Sequence, residues 1–543
     1  MRSAPREALP ATDPPAWARS AADRGSLATT EPSDPLAARP FWAGLGVIVL
    51  LRLVATSWLY VSGFASLSGD GYLRVLLAAD WALRPYLAWS GVWLPGQMYL
   101  LGALLAAWPD LLVVPRLFSV ALGLAAIGLV GAIGASLAGR RAGLFAAALL
   151  AADPGHLWVS ATPLAENLHL ALILVALLGV VRLLRDERTG WLALTGIALT
   201  LASTVRFEAW LFSGLFGLFV VLWLVHRRPP GAVAALALMT AGAPWLFPIA
   251  FIAGNALLLG DPLFWPNAFR AYNLRAYGPG ADPAGVWEAL WMIQGPLLAA
   301  TVAGGFWAAV RRDRVTRIYL VAVAAPTLAV LVVLAAGREP LNNLVRYLVP
   351  FVALFAPLTG GMASAFFDRL SRRSALLGAA AAGLAALLLG VRLTADAPVE
   401  PSNSGLAAGR RIAALRASGQ LPPGPLVVDS SNLAVYAMMV GANDVRTIRL
   451  DRPADRRVAA PPVLTLEATD LRACLAQVDA VGVVARTPGV ETLPGARLLE
   501  VVDGFRIVQL AGEPGECPGR TVAWTEFARN TTGPLFAALA YRN

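Results

Sequence analysis

Residues 112–138, LVVPRLFSVALGLAAIGLVGAIGASLA, contain one charged residue, Arg116, and are followed at once by Gly139-Arg140-Arg141. A helix needs about 20 mainly apolar residues to cross the hydrocarbon core of a bilayer. This stretch is long enough, and a pair of arginines at its end is typical of the cytoplasmic boundary of a membrane span. It therefore predicts a transmembrane helix.

The composition of the whole chain extends this prediction. The 543 residues are 57% hydrophobic and 14% charged, whereas soluble globular proteins carry roughly 25% charged residues. We predict a polytopic α-helical membrane protein with about 11 spans. The predicted spans are 41–62, 112–138, 142–159, 167–184, 190–204, 208–225, 232–259, 286–310, 316–336, 345–366 and 374–394.

Three domains are predicted along the chain. Residues 1–40 are rich in Ala, Pro, Ser and Arg and are predicted to be a disordered cytoplasmic tail. Residues 41–394 form the membrane domain. Residues 395–543 lack long apolar stretches and are predicted to form a soluble domain.

The basic residues give the membrane orientation. The net charge is +10 and the chain contains no lysine. The arginines lie in short clusters between apolar stretches rather than in one basic domain, which indicates membrane topology and not nucleic-acid binding. The clusters are 140–141, 182–188, 226–228, 311–317 and 369–373. They place the N-terminus in the cytoplasm, and the C-terminal domain and the loops at 63–92, 160–166, 205–207, 260–285 and 337–344 outside.

One apolar segment does not fit this alternation. Residues 93–107 are apolar but short, and Trp108-Pro109 separates them from the next span. A full crossing here would put Arg140 and Arg141 outside, against the charge rule. We therefore predict a partial or re-entrant helix, which is tolerated where protein or water covers its backbone and so indicates a cavity.

Ionisable and polar residues gather at the outward ends of the predicted spans. Charges at the edge of a membrane domain are costly and are functional hypotheses by default. The residues are Asp70, Tyr72, Arg74 and Asp80 in the first outer loop, Trp93 and Gln97 at the partial helix, and Glu166, Arg206, Glu208, Arg346 and Tyr347 at later span ends.

This arrangement resembles the GT-C superfamily of membrane glycosyltransferases over about residues 41–370, in particular protein O-mannosyltransferases and aminoarabinose transferases. Asp70 in Gly69-Asp70-Gly71-Tyr72 matches the acidic residue of the family's first outer loop, and Trp93-Leu94-Pro95 resembles its proline-containing re-entry. Two positions depart from the pattern. Gly71 stands where many relatives carry a second acidic residue, and Trp93-Leu94-Pro95-Gly96 stands where many carry His-Pro-Pro or Lys-Pro-Pro.

The resemblance implies a GT-C-like hexosyltransferase that inverts the sugar and uses a polyprenyl-phosphate donor on the extracytoplasmic side. It implies that Asp70 is the catalytic base or the group that orients the acceptor, and a base is what an inverting transfer needs to take the acceptor proton. Arginine suits the departing lipid phosphate, and Arg206 and Arg346 are the first candidates, ahead of Arg74, Arg270 and Arg275. The expected substrate-binding residues are Tyr72, Asp80, Trp93, Gln97, Glu166, Arg206, Glu208, Arg346 and Tyr347. No residue is assigned to a metal, and a divalent metal is left open as a cofactor.

Structural alternatives exist for most of these residues. Asp70 can be a helix N-cap, and Asp80 can be a solvated loop charge. Glu166 can stabilise the start of the helix that follows it. Arg206 and Glu208 can be a structural ion pair rather than a substrate contact.

The C-terminal domain alternates strands and helices, which predicts a small α/β fold. Strands are expected around 426–429, 480–484 and 506–510, and helices around 404–418, 431–440 and 468–477. The two cysteines of the chain, Cys474 and Cys517, both fall here. They are predicted to pair, because disulfides persist in an oxidising compartment. The alternative is a buried free Cys474, which would act as a small hydrophobic residue, and an unrelated exposed Cys517.

Three functions remain open on the sequence: a glycosyltransferase, a transporter or lipid flippase of envelope assembly, and a membrane scaffold. A transporter would be expected to show internal repeats and ionisable residues at the bilayer midplane. The charges instead lie at the outer edge, which favours the enzyme. Its partners are then a polyprenyl-phosphate sugar, membrane lipids and an acceptor that is a protein, a lipid or a glycan.

Overall fold

The structure is a computed structural model. The described residues are 39–88, 91, 93–268, 270, 298–336, 341–369, 401–430, 434–451, 464, 468–486, 488–493, 495–510 and 522–523. The predicted cytoplasmic tail and the predicted span at 374–394 lie outside them, apart from residues 39 and 40.

Apolar helices form the membrane part. In chain order the helices are α1 (Arg39–Val61), α2 (Gly69–Leu83), α3 (Gly96–Ala107), α4 (Val113–Ala138), α5 (Arg140–Ala152), α6 (Pro154–Ser160), α7 (Ala165–Asp186), α8 (Gly190–Ser203), α9 (Glu208–Arg227), α10 (Gly231–Leu259), α11 (Leu298–Val310), α12 (Arg314–Ala336) and α13 (Leu341–Phe367).

The predicted membrane-helix class is confirmed, but the count of eleven is not. Within the described ranges, seven helices are long and apolar enough to cross a membrane, namely α1, α4, α7, α9, α10, α12 and α13. The bent pair α5 and α6 raises this to eight if the two form one span. Helix α8, at the predicted span 190–204, is apolar but shorter. Helix α11 covers the described part of the predicted span 286–310, and residues 286–297 lie outside the described residues.

Helix α3 occupies the segment predicted to be a partial helix. It has 12 residues, so at 1.5 Å per residue it reaches about 18 Å, less than the roughly 30 Å of the hydrocarbon core. Its first residue, Gly96, donates its N–H to the carbonyl of Thr204 at 2.8 Å. The start of α3 is therefore fixed against the loop between α8 and α9.

A proline bend shapes the span formed by α5 and α6. The two helices meet at 69°, where Asp153 caps α6 by accepting from the Gly155 N–H at 3.0 Å and Pro154 starts the new helix. The buried Arg52 of α1 donates to the carbonyl of Ala151 at 2.8 Å and to Ser160 Oγ at 2.8 Å. Since the bend leaves backbone groups without helix partners, Arg52 stabilises it and fixes the direction in which the chain enters α7.

Small residues allow the central helices to pack closely. A Cβ on Gly143 of α5 would lie 2.4 Å from the Gly131 carbonyl oxygen of α4, and one on Gly360 of α13 would lie 2.4 Å from the Ala142 carbonyl oxygen. Membrane helices commonly associate through such small residues. The packing brings α4, α5 and α13 together and so carries the start of α13 towards the first outer loop.

The part after residue 400 is a small α/β unit, as predicted. Its elements are α14 (Ser404–Ala417), β1 (Leu426–Val428), α15 (Ala434–Ala442), β2 (Ile448–Leu450), α16 (Ala468–Gln477), β3 (Gly482–Ala485), β4 (Ala496–Val502), β5 (Phe505–Leu510) and β6 (Val522–Ala523). The six strands form a sheet in the order β4-β5-β3-β1-β2-β6. Strand β1 pairs parallel with β2 and β3, and the other pairings are antiparallel. The predicted strands match β1, β3 and β5, while β2, β4 and β6 were not predicted.

This unit rests on α2 and on the segment that leads into α4. Tyr72 donates its hydroxyl to Asn403 Oδ1 at 2.6 Å, and the Leu111 N–H donates to Asn443 Oδ1 at 2.9 Å. Apolar residues of α2 and α15, among them Leu76 and Met438, share one buried cluster. The sheet unit thus covers α2, the helix that begins beside Asp70.

Cys474 is buried and disulfide-bonded. The other cysteine of the chain, Cys517, lies outside the described residues. The bond at Cys474 agrees with the predicted pairing.

Candidate functional site

Asp70 lies in the first turn of α2 and is not its N-cap. The cap is Ser68, whose Oγ accepts the Asp70 N–H at 3.3 Å. Because Ser68 supplies the capping oxygen, the Asp70 carboxylate is left for other contacts. Its side chain is 33% exposed, so it can reach both the protein and a substrate.

Arg346 of α13 joins Asp70 to the membrane helices. Its Nη2 lies 2.8 Å from Asp70 Oδ2, and its Nε lies 3.2 Å from Glu166 Oε1. It also donates to Ser68 Oγ and to the Tyr347 hydroxyl, each at 3.2 Å. One buried guanidinium therefore connects α2, α7 and α13.

Glu166 is the second junction. It lies in the first turn of α7, is 2% exposed, and its Oε1 also approaches Arg206 Nη1 at 2.7 Å. Arg206 in turn pairs with Glu208, with Nη2 2.5 Å and Nε 3.1 Å from the two carboxylate oxygens. The result is a continuous chain of ion pairs, Asp70–Arg346–Glu166–Arg206–Glu208, which we call the outer ion-pair chain.

Burial and charge act in opposite directions on Arg206, which lies in the loop between α8 and α9. Burial by itself lowers the pKa of Arg206, but the facing carboxylates of Glu166 and Glu208 outweigh it and raise the pKa above its usual value. The facing carboxylates therefore hold the guanidinium in its charged form.

Tyr347 packs against both arginines. Its ring centroid lies 5.0 Å from the Arg206 guanidinium carbon and 5.1 Å from that of Arg346. Cation–π contacts of this kind are favourable when the partners are desolvated. Tyr347 thus helps to hold the two guanidiniums in place.

A second group lies next to this chain. The Arg74 guanidinium carbon is 5.0 Å from the Trp93 ring centroid, and Arg74 Nη1 donates to Gln97 Oε1 at 3.3 Å. Gln97 is oriented by its own donation to the Pro163 carbonyl at 3.0 Å. Trp93 and Gln97, both predicted substrate-binding residues, therefore meet around Arg74.

Other predicted site residues lie elsewhere. Tyr72 bonds Asn403 and belongs to the contact with the sheet unit. Asp80 is not a solvated loop charge: it lies within α2 and is 1% exposed, because α2 continues to Leu83 and packs under the sheet unit. Ten residues of helix separate it from Asp70, about 15 Å. Arg270 is exposed, and Arg275 lies outside the described residues.

Close packing explains why residue 71 is a glycine. A Cβ at this position would lie 2.9 Å from Thr162 Cγ2 and 3.1 Å from Ser66 Oγ. A larger side chain at this position would therefore displace the turn that leads into α7.

Gly71→Ala is expected to destabilise the protein by about 1–3 kcal/mol, the usual cost of overpacking a buried position. Thr162→Ser removes the obstructing methyl group but keeps the hydroxyl, which accepts from the Leu67 N–H at 3.1 Å and donates to the Trp158 carbonyl at 3.0 Å. Thermal unfolding in detergent measures both. The double variant should unfold at a higher temperature than Gly71→Ala. An equally low value would locate the strain somewhere other than at Thr162.

His169 was not among the candidate site residues predicted from the sequence. It lies one turn after Glu166 on the same face of α7, it is 6% exposed, and its ring centroid lies 6.4 Å from that of Phe212. The sequence feature that could have identified His169 is its position three residues after Glu166, because residues three apart lie on the same face of a helix. Single histidines on apolar helices are weak signals without such a partner.

No metal site is evident at these residues. Among the residues that the structure describes, no group of three or more His, Cys, Asp or Glu side chains is placed to hold a metal ion. The carboxylates of the outer ion-pair chain each face an arginine instead.

Solved structures share this fold. ArnT from Cupriavidus metallidurans in the apo state is 16% identical with a TM-score of 0.54, covering 87% of this chain and 100% of that one. The same protein bound to undecaprenyl phosphate is 14% identical with a TM-score of 0.53, covering 88% and 100%. The Archaeoglobus fulgidus oligosaccharyltransferase in the apo form is 14% identical with a TM-score of 0.51, covering 82% and 69%. No protein-family model matches the sequence, and neither does any curated protein.

These similarities define the class of the fold. The chain has the fold of ArnT and of the archaeal oligosaccharyltransferase, which agrees with the GT-C-like fold expected from the sequence. It is a multi-pass membrane protein. At identities of 14–16% the likeness concerns the fold, so the chemistry has to be argued from the outer ion-pair chain.

Proposed function

We propose that this protein is a glycosyltransferase that moves a sugar from a polyprenyl-phosphate donor to an acceptor on the extracytoplasmic face of the membrane. The observation that carries the proposal is the partly exposed Asp70 carboxylate, held by Arg346 at 2.8 Å at the junction of α2, α7 and α13. An acid and buried cations side by side are what this reaction requires.

Each group has a part in the transfer. Glycosyl transfer passes through an oxocarbenium-like transition state, and an inverting enzyme uses one base to remove the acceptor proton. We assign that role to Asp70. The departing lipid phosphate gains negative charge, and the positive field of Arg206 and Arg346 stabilises it. The product is then expected to have the anomeric configuration opposite to that of the donor.

The structural neighbours support the donor class. One ArnT structure is of the protein bound to undecaprenyl phosphate. The archaeal oligosaccharyltransferase, at a TM-score of 0.50 and 14% identity, has been captured with an inhibitory peptide and a dolichol-phosphate. Both ligands are polyprenyl phosphates. Nothing in the comparisons supports the transporter or flippase alternative.

The donor class is tested with membranes that contain or lack the protein. Labelled polyprenyl-phosphate sugars and labelled nucleotide sugars are supplied in parallel with an envelope fraction as the source of acceptor. Only the polyprenyl-phosphate sugars should be consumed in a protein-dependent way. Direct use of a nucleotide sugar would refute the proposed donor, and the labelled product identifies the sugar and the acceptor.

We also propose the orientation and the domain limits expected from the sequence. Residues 1–40 would be cytoplasmic, 41–394 would form the membrane domain, and 395–543 would lie outside. The exposed basic clusters near Arg141, Arg227 and Arg311 support this orientation, because arginine accumulates on the cytoplasmic side.

Reporter fusions after Arg39 and after Thr394 are expected to report opposite sides of the membrane. The physical reason is the alternation of arginine clusters, which requires an odd number of crossings between the two points. A reporter active only outside the cytoplasm, paired with one active only inside, makes the measurement at each position. Reports from the same side at both positions would refute the orientation.

A further inference from the structure

Arg74 differs from the other two arginines of the outer site in its partners. Arg206 and Arg346 each face two carboxylates at distances of 2.5–3.2 Å. Among the described residues, Arg74 has no ion-pair partner, and its buried Nε has no hydrogen-bond partner. Its contacts are the neutral side chains of Trp93 and Gln97.

The surroundings of Arg74 are built rather than accidental. Gln97 is 1% exposed and is fixed by its bond to the Pro163 carbonyl at 3.0 Å. The Arg74 guanidinium carbon lies over the Trp93 ring, 5.0 Å from its centroid, and this cation–π contact helps to fix the position of the guanidinium. A guanidinium held in this way presents its remaining N–H donors for a charge-assisted contact with an anion.

Arg74 lines a cavity between α2 and α3, together with Trp93, Leu94, Pro95 and Gln97. The enclosed free space is about 20 Å³, which suits one oxygen-sized group. A single oxygen of a phosphate can therefore lie against Arg74 while the rest of the phosphate stays at the opening. The electrostatic neighbours of Arg74 include Asp70 and Glu166, so this position adjoins the proposed base.

We propose that Arg74, oriented by Gln97 and Trp93, is the direct binding residue for the phosphate of the polyprenyl donor. The inference rests on the proposed function and makes it more specific. Arg206 and Arg346 are engaged with carboxylates and act through their charge, whereas Arg74 has donors to offer. Arg74 also places a cation beside Trp93-Leu94-Pro95, the segment directly before α3.

The test measures binding of undecaprenyl phosphate to the full-length protein in detergent by native mass spectrometry. The variants are Arg74→Gln, Arg74→Lys and, as a matched control, Arg84→Gln, which changes an exposed arginine at the end of the same helix. Arg74→Gln is expected to weaken binding by about 10- to 100-fold, the range for a lost charge-assisted hydrogen bond. Arg74→Lys should fall between Arg74→Gln and the unchanged protein, and Arg84→Gln should bind like the unchanged protein.

The outcomes separate the inference from the proposed function. If the unchanged protein fails to bind undecaprenyl phosphate, the proposed function is refuted and the inference with it. If it binds and Arg74→Gln binds equally well, only the inference is overturned. If Arg74→Gln fails to fold, Arg74→Lys is used instead. An affinity of Arg74→Lys equal to that of the unchanged protein would then overturn the inference. Equal competition by phosphatidylglycerol would also overturn it, because the site would then accept any lipid phosphate.

Discussion

Asp70→Asn is expected to lower sugar transfer by about 10²- to 10⁴-fold, the usual contribution of a general base. Asparagine keeps the shape of the side chain but cannot take the acceptor proton. The Ser68 cap receives the backbone N–H of residue 70, so α2 should still form. Transfer from a labelled polyprenyl-phosphate sugar by the purified protein gives the rate, and thermal unfolding shows that the variant is folded.

Asp503→Asn is the matched control for this prediction. It makes the same chemical change at an exposed residue in the turn between β4 and β5. Its backbone has a positive φ of 48°, a conformation that asparagine and aspartate both tolerate. The control should keep its full rate. Near-normal transfer by a folded Asp70→Asn protein would remove Asp70 as the base.

Glu166→Gln is expected to have the second largest effect, on both stability and activity. Glu166 is 2% exposed and its Oε1 faces Arg206 and Arg346. Removing the charge leaves two buried guanidiniums without their shared partner, and breaking a buried ion pair typically costs about 3–5 kcal/mol. The arginines should also shift relative to Asp70, and a displacement of about 1 Å can cost about 10²-fold in rate. Thermal unfolding and transfer assays measure the two effects.

Glu187→Gln breaks a different ion pair by the same chemical change. Glu187 contacts Arg227 at 2.5 Å, but its side chain is 64% exposed, and exposed pairs contribute only about 0–1 kcal/mol. This control should unfold and react like the unchanged protein. If Glu166→Gln matched it in both assays, the outer ion-pair chain would not organise the site.

The membrane architecture was predictable because it follows from local sequence. Apolar length located the seven long helices α1, α4, α7, α9, α10, α12 and α13. The short segment at 93–107 indicated a partial helix, which corresponds to α3 (Gly96–Ala107). The number of crossings was less predictable. Residues 142–159 form two helices because Pro154 breaks the segment, and such a bend depends on Arg52, which is distant in sequence.

The candidate site was predictable as a set of residues but not as an arrangement. Glu166, Arg206 and Arg346 are distant in sequence. Their positions along the chain therefore did not predict that the buried Glu166 carboxylate faces both arginines. The alternatives for Arg206 and Glu208 were an ion pair or a substrate contact, and the ion pair exists. Asp80 was misjudged because the extent of α2 under the sheet unit is a tertiary property.

The central claim is tested most directly by the stoichiometry of one reaction. Purified full-length protein is given a labelled polyprenyl-phosphate sugar and the acceptor fraction, and free polyprenyl phosphate and glycosylated product are both measured. We predict one polyprenyl phosphate released for each sugar transferred, with inversion at the anomeric carbon. Folded protein that releases no polyprenyl phosphate from any such donor, with the acceptor fraction present, would contradict the account.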